Sequence, residues 1–137
     1  MVKFGNFEVE YNRNAPDKVS VRIETDGKGE VWLPKCDIAR AYSVFVQSVN
    51  AGLKSLAKTG DFDEYRDVRV EHFTYNGKDC SVDLYSLETI IALGFRMKGL
   101  KCEAFRKWAA RRLAESFEKK KSTVIICMSG EKRNNWN

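Results

Sequence analysis

No stretch of this chain stays apolar for the ~18–20 residues that a membrane-spanning helix requires. The N-terminal segment MVKFGNFEVEYN alternates apolar and polar residues instead of forming a signal-peptide core. The expectation is therefore a cytoplasmic protein with no membrane partner. Proline is scarce, with two residues in 137, and the nine glycines are scattered, which argues against a disordered or collagen-like chain. A single histidine, His72, sits in a strand-like pattern beside Phe73. Without companions it cannot anchor a Ser/His/Asp triad, and it reads as structural. The four cysteines, Cys36, Cys80, Cys102 and Cys127, show no CxxC spacing. Zinc-site and dithiol motifs are thus absent, and reduced, mostly buried thiols are expected. Nothing in the sequence indicates a cofactor, a metal or a small-molecule substrate.

What is present is enough apolar residue, 43%, to build a core, and a length that fits one domain. We read residues 1–121 as that domain and 122–137 as a tail. The tail's apolar run Val124–Met128 could add an edge strand, dock on the core or pair with a second subunit. Charge is distributed unevenly. Between Arg96 and Lys121 there are ten Lys/Arg against three Asp/Glu, whereas residues 1–95 hold 12 basic and 15 acidic side chains. A basic back half on a mildly acidic front points to an anionic partner, nucleic acid first.

Periodicity gives an α+β chain. Phe4, Phe7, Val9 and Tyr11 suggest a first strand, and Val19, Val21 and Ile23 alternate with polar residues as a second. Asp26-Gly27-Lys28-Gly29 is turn chemistry, so Val19–Ile23 and Val31–Leu33 are expected to form a hairpin across it. Because that turn joins strands and opens no helix, it is not a phosphate-binding loop. Pro34 suits the first turn of a short helix over Lys35–Tyr42, followed by a tight turn at Ser43-Val44 and a second helix from Phe45 to Lys58. A second hairpin turns at Asn76-Gly77. Ser86 caps the next helix, whose Leu87, Ile90, Ile91 and Gly94 share one face, and a long basic helix spans Lys101–Lys121. The order is two ββαα units, the first containing a winged-helix-like helix-turn-helix.

In a helix-turn-helix the first helix braces the second, which offers polar side chains to base edges in the major groove. Here the second helix offers Gln47, Ser48, Asn50, Lys54 and Lys58. Gln and Asn can pair bidentately with adenine, and lysines can neutralise phosphates. An ordinary helical hairpin with a solvated polar face has the same pattern, and the apolar opening Phe45-Val46 fits that reading or a protein-binding patch.

The blocks VWLPKCDIARAYSVFVQSVNAGLKSL and VDLYSLETIIALGFRMKGLKCEAFRKWAARRLAESF resemble the RhuM-type virulence protein family. More loosely, the second resembles the Bro-N and KilA-N type domains of phage antirepressors. The motifs are Val31-Trp32-Leu33, Leu84-Tyr85, Gly94-Phe95-Arg96 and Phe105-Arg106-x-Trp108-Ala109. The resemblance implies a small DNA-binding module of bacterial or mobile-element origin, with no catalytic residues. The alternative, to which the apolar Phe45-Val46 and the tail run Val124–Met128 point, is an antirepressor-like module that binds another protein or a second copy of itself. The chain departs from the family at the start of the second helix, with Phe45, Val46, Ala51 and Gly52, so phosphate contacts are expected to outweigh base reading.

On the C-terminal helix, Arg106 and Arg112 fall in or beside the apolar arc of Phe105, Trp108, Ala109, Leu113 and Phe117. They read as structural, as does Arg96, with Asp83 or Glu88 as candidate partners for Arg106. Lys107, Arg111, Lys119, Lys120 and Lys121 are DNA candidates, although cations near a helix C-terminus also simply complement its dipole. The acidic loop Asp61, Asp63, Glu64 and Asp67 lacks calcium-loop spacing and reads as solvated.

Overall fold

Local hydrogen bonding begins the chain's architecture. In the computed structural model, residues 2–120 are described, except for the side chains of Pro16, Asp17, Lys119 and Lys120. Strands β1 (Asn6–Asn12) and β2 (Ala15–Glu24) form an antiparallel hairpin, pairing Phe7 with Ile23, Val9 with Val21 and Tyr11 with Val19. Asn12 Oδ1 accepts the Asn14 N–H at 2.9 Å and so shapes the turn. Phe7 and Val9 point into the core, as period-two alternation requires.

The expected hairpin of Val19–Ile23 with Val31–Leu33 does not form. The Asp26–Gly29 turn is present: Asp26 Oδ1 accepts the N–H groups of Lys28 and Glu30, both at 2.9 Å. The loop closes on itself, however, with the Asp26 N–H donating to the Glu30 carbonyl. Strand β3 (Trp32–Leu33) then leaves for a different sheet. The physical reason is competition: β1 reaches β2 through a shorter connection and matches its apolar residues side for side.

Helix α1 (Lys35–Tyr42) follows β3 with Pro34 as its cap residue, and ends at Ser43 in the left-handed conformation (φ 54°). The Val44 N–H donates to the Ala39 carbonyl at 2.9 Å and the Ser43 N–H to the Arg40 carbonyl, a Schellman closure. Helix α2 (Val46–Lys58) starts after this three-residue turn. A one-turn helix α3 (Glu64–Asp67) leads into strands β4 (Val68–Tyr75) and β5 (Lys78–Ser86), joined through Asn76-Gly77. In their sheet the order is β3-β5-β4, all antiparallel, so the helical pair α1–α2 leaves from one edge strand and the chain returns through the β4–β5 hairpin, called the wing below. The fold is α+β, built from two ββαα-like units.

Helix α4 (Leu87–Arg96) is capped by Ser86, whose Oγ accepts the Thr89 N–H, and helix α5 (Leu100–Lys120) completes the described chain. The core converges on three rings. Phe7, Tyr42 and Phe105 lie 5.5–5.8 Å apart between centroids, and Tyr42 donates its hydroxyl proton to the Ile90 carbonyl at 2.8 Å. Burial pushes the Tyr42 phenol far above its ordinary pKa, so it stays a donor. Such close approach requires Gly94. A Cβ there would stand 2.5 Å from the Tyr42 hydroxyl and 2.7 Å from the Phe105 ring. Gly94→Ala is accordingly expected to destabilise the fold by about 1–3 kcal/mol through overpacking, read as a lower urea midpoint at unchanged slope.

Candidate nucleic-acid interface

Helix α2 buries Val49, Gly52, Leu53 and Leu56 and turns the opposite face to solvent. Gln47, Asn50, Lys54 and Lys58 are exposed and advance by three or four residues, so they form one stripe with Ala51. Ser48 is half-buried and lies off that stripe. Lys54 and Lys58 make no ion pair among the described residues. The stripe is mostly small or uncharged toward the start of the helix and cationic toward its end.

The rest of the molecule holds this helix firmly. A Cβ on Gly52 would meet Leu93 at 2.7 Å and Met97 at 3.3 Å, so the absence of a side chain lets α2 lie directly on α4. Arg96 ties the two helices together at the surface, donating to Ser55 Oγ at 2.8 Å and facing the Asp61 carboxylate at 3.6 Å. Its structural assignment therefore stands. Beside the stripe, a groove of about 700 Å³ separates α2 from the wing, with Asn50, Lys54 and Ala57 on one wall and Val68, Val70 and Asp83 on the other. Tyr65, 99% exposed, stands at its rim. The apolar start of α2 is exposed as well, Phe45 at 79% and Val46 at 38%.

The basic residues of α5 belong to a different surface. Helix α2 packs on Leu93 and Met97, whereas α5 meets α4 through Phe105, which contacts Gly94 and lies 5.7 Å from the Phe95 ring. Lys107 and Arg111 instead line a groove with Tyr11 and Val19 of the β1–β2 hairpin. Lys107 is also held by Glu103 at 3.6 Å. Lys119 and Lys120 end α5, and Lys121 and the run Val124–Met128 lie outside the described residues. Arginine sorting largely follows expectation. Arg112 covers the Trp108 ring at 5.7 Å. Arg106 is structural but pairs with neither Asp83 nor Glu88. It donates to the Gly94 and Met97 carbonyls at 3.1 and 3.0 Å, filling acceptors that the end of α4 leaves open. No local pattern singles out Arg13, Lys18 and Lys101, which three separate segments bring around Tyr11.

The acidic loop is built into the fold. Asp63 caps α3 by accepting the Tyr65 N–H at 3.0 Å, while Asp67 is buried and accepts from the Asp63 N–H, the Ser86 hydroxyl and the Arg66 guanidinium. Among the described residues no three His, Cys, Asp or Glu side chains converge on a metal-sized site, and no helix is long and apolar enough to cross a membrane. His72 is exposed on β4 opposite Ser81. Of the three cysteines among the described residues only Cys102 is buried; Cys36 and Cys80 are half-buried free thiols, less enclosed than expected, and Cys127 lies outside the described residues. Comparison of the chain with protein-family models, curated proteins and solved structures yields no match.

Burial on its own would raise the Asp67 pKa, but its hydrogen bonds from Arg66, Asp63 and Ser86 outweigh that effect and hold it below the ordinary value. A carboxyl with a lowered folded pKa stabilises fully above its unfolded value, near ~3.9, and loses that contribution as pH falls through the folded pKa. Asp67→Asn should therefore cost about 1–3 kcal/mol at neutral pH. The gap from the parent protein should narrow in urea titrations carried below pH ~4.

Proposed function

We propose that this chain is a non-enzymatic DNA-binding module that grips the duplex chiefly through its phosphates. The observation that carries the reading is the exposed stripe Gln47, Asn50, Ala51, Lys54 and Lys58 on the second helix of a braced helix-turn-helix. A helix of 13 residues is about 20 Å long, and the major groove is ~12 Å wide, so α2 can enter it along this face. Lys54 and Lys58 then meet phosphates, while Gln47 and Asn50 face base edges. Ala51 between them lets the helix approach closely and offers a methyl to thymine. The wing lies beside the same face, where a hairpin can follow the adjacent backbone.

Two lysines are a small electrostatic footprint on the reading helix, which favours modest affinity with little sequence preference. Counterion release makes such binding steeply salt-dependent, with log affinity falling by ~0.9 per phosphate contact against log salt. Electrophoretic shift or anisotropy on a duplex should show binding at low salt that weakens sharply at moderate salt. The Lys54→Ala/Lys58→Ala protein should lose affinity on every sequence and flatten the salt slope by about 2. No binding at low salt, or an unchanged slope in that variant, would remove the reading.

A second reading is favoured by one specific observation, the exposure of Phe45 and Val46 at the head of α2. Apolar side chains of that size in solvent mark a protein contact, as an antirepressor-like module requires. Phe45→Ser separates the two: it leaves duplex affinity within about twofold if DNA is the partner, since the change removes no charge.

A further inference from the structure

We infer that the groove between the β1–β2 hairpin and helix α5 is a second binding site, and that its occupant is a single, unpaired nucleic-acid strand. Three contiguous depressions meet there, of about 330, 400 and 480 Å³, and all three are lined by Tyr11. The lining holds five basic side chains, Arg13, Lys18, Lys101, Lys107 and Arg111, against two acidic ones, Glu10 and Glu103. Arg112, over the outer part of Trp108, adds a further cation nearby.

Charge selects an anion, and shape selects among anions. The 330 Å³ part, lined by Tyr11 and Val19 of the hairpin and by Trp108 of α5, is concave and has both apolar and cationic walls. A duplex presents a convex phosphate surface and keeps its base faces stacked, so it cannot fill such a slot. An unpaired strand can place a base on Tyr11, beside a Trp108 ring already stacked on Phe105 and covered by Arg112, while its successive phosphates run along the cations. Tyr11 stacks on no other ring among the described residues, which leaves its face available. The basic residues extend from the hairpin turn at Arg13 to Arg111 on α5, farther than one nucleotide needs. An acidic peptide would satisfy the cations but leave the aromatic slot without a flat partner.

The site shares no residue with the α2 stripe, so its fate is separate from that of the duplex reading. The test is anisotropy of a fluorescein-labelled oligothymidylate with the full chain at low salt, beside a blunt hairpin duplex. Oligothymidylate should bind. Tyr11→Ala should weaken it about tenfold, Tyr11→Phe should retain it, and the surface changes Lys101→Glu and Arg111→Glu should each weaken it about tenfold without unfolding risk from the core. Lys54→Ala/Lys58→Ala should weaken the duplex and leave oligothymidylate within about twofold. The inference is overturned if oligothymidylate fails to bind, if Lys101→Glu and Arg111→Glu bind it like the parent, or if polyglutamate or a mononucleotide competes as well as the strand does.

Discussion

Everything in this molecule is positioned by one crowded contact, the packing of the Tyr42 hydroxyl and the Phe105 ring against Gly94. Tyr42 comes from α1, Phe105 from α5 and Gly94 from α4, and Phe7 of β1 closes the ring cluster. Four elements distant in sequence are thereby fixed at one point. Protein interiors are packed like crystals and do not yield by tenths of an ångström without cost, so this contact sets where α4 lies. Helix α4 in turn sets α2, because Gly52 rests on Leu93 and Met97.

That arrangement explains why the charge asymmetry of the chain becomes two surfaces instead of one. The acidic front half is largely occupied with itself: Asp37 pairs with Arg40 at 2.6 Å, Asp67 with Arg66 at 2.8 Å, and Asp61 faces Arg96 at 3.6 Å. Asp37 and Asp67 are buried carboxylates whose guanidinium partners reach solvent, whereas the Asp61–Arg96 pair lies at the surface and contributes little to stability, a median of about 0–1 kcal/mol. The cations of α5 gather with those of the β1–β2 hairpin around Tyr11, in grooves that share no residue with the α2 stripe.

Sequence periodicity revealed the elements well and their partners poorly. Helix α1 and its Ser43-Val44 turn, the Asn76-Gly77 hairpin and the Ser86 cap were all legible, because each depends on residues a few positions apart. The pairing of β3 with β5 was not legible. Two sheet neighbours, β2 and β5, competed for a strand of only two residues, and no local signal arbitrates between them. Arg106 illustrates the same limit: its placement in an apolar arc foretold a structural role, yet its acceptors are carbonyls, which a sequence does not distinguish. The separation of Lys107 and Arg111 from the α2 stripe likewise depends on tertiary packing that no local pattern shows. The Tyr11 groove draws on Arg13, Lys18 and Lys101 from separate segments, and a pattern of that kind exists only after folding.

The central claim is that α2 meets DNA with one defined face. Backbone amide mapping of the isotopically labelled chain, titrated with duplex at low salt, measures this most directly. The account predicts shifts concentrated at Gln47, Asn50, Ala51, Lys54 and Lys58, reversed by moderate salt, with the amides of Val49, Leu53 and Leu56 moving far less. Saturation by duplex with that stripe unmoved, or shifts confined to Phe45 and Val46, would contradict it.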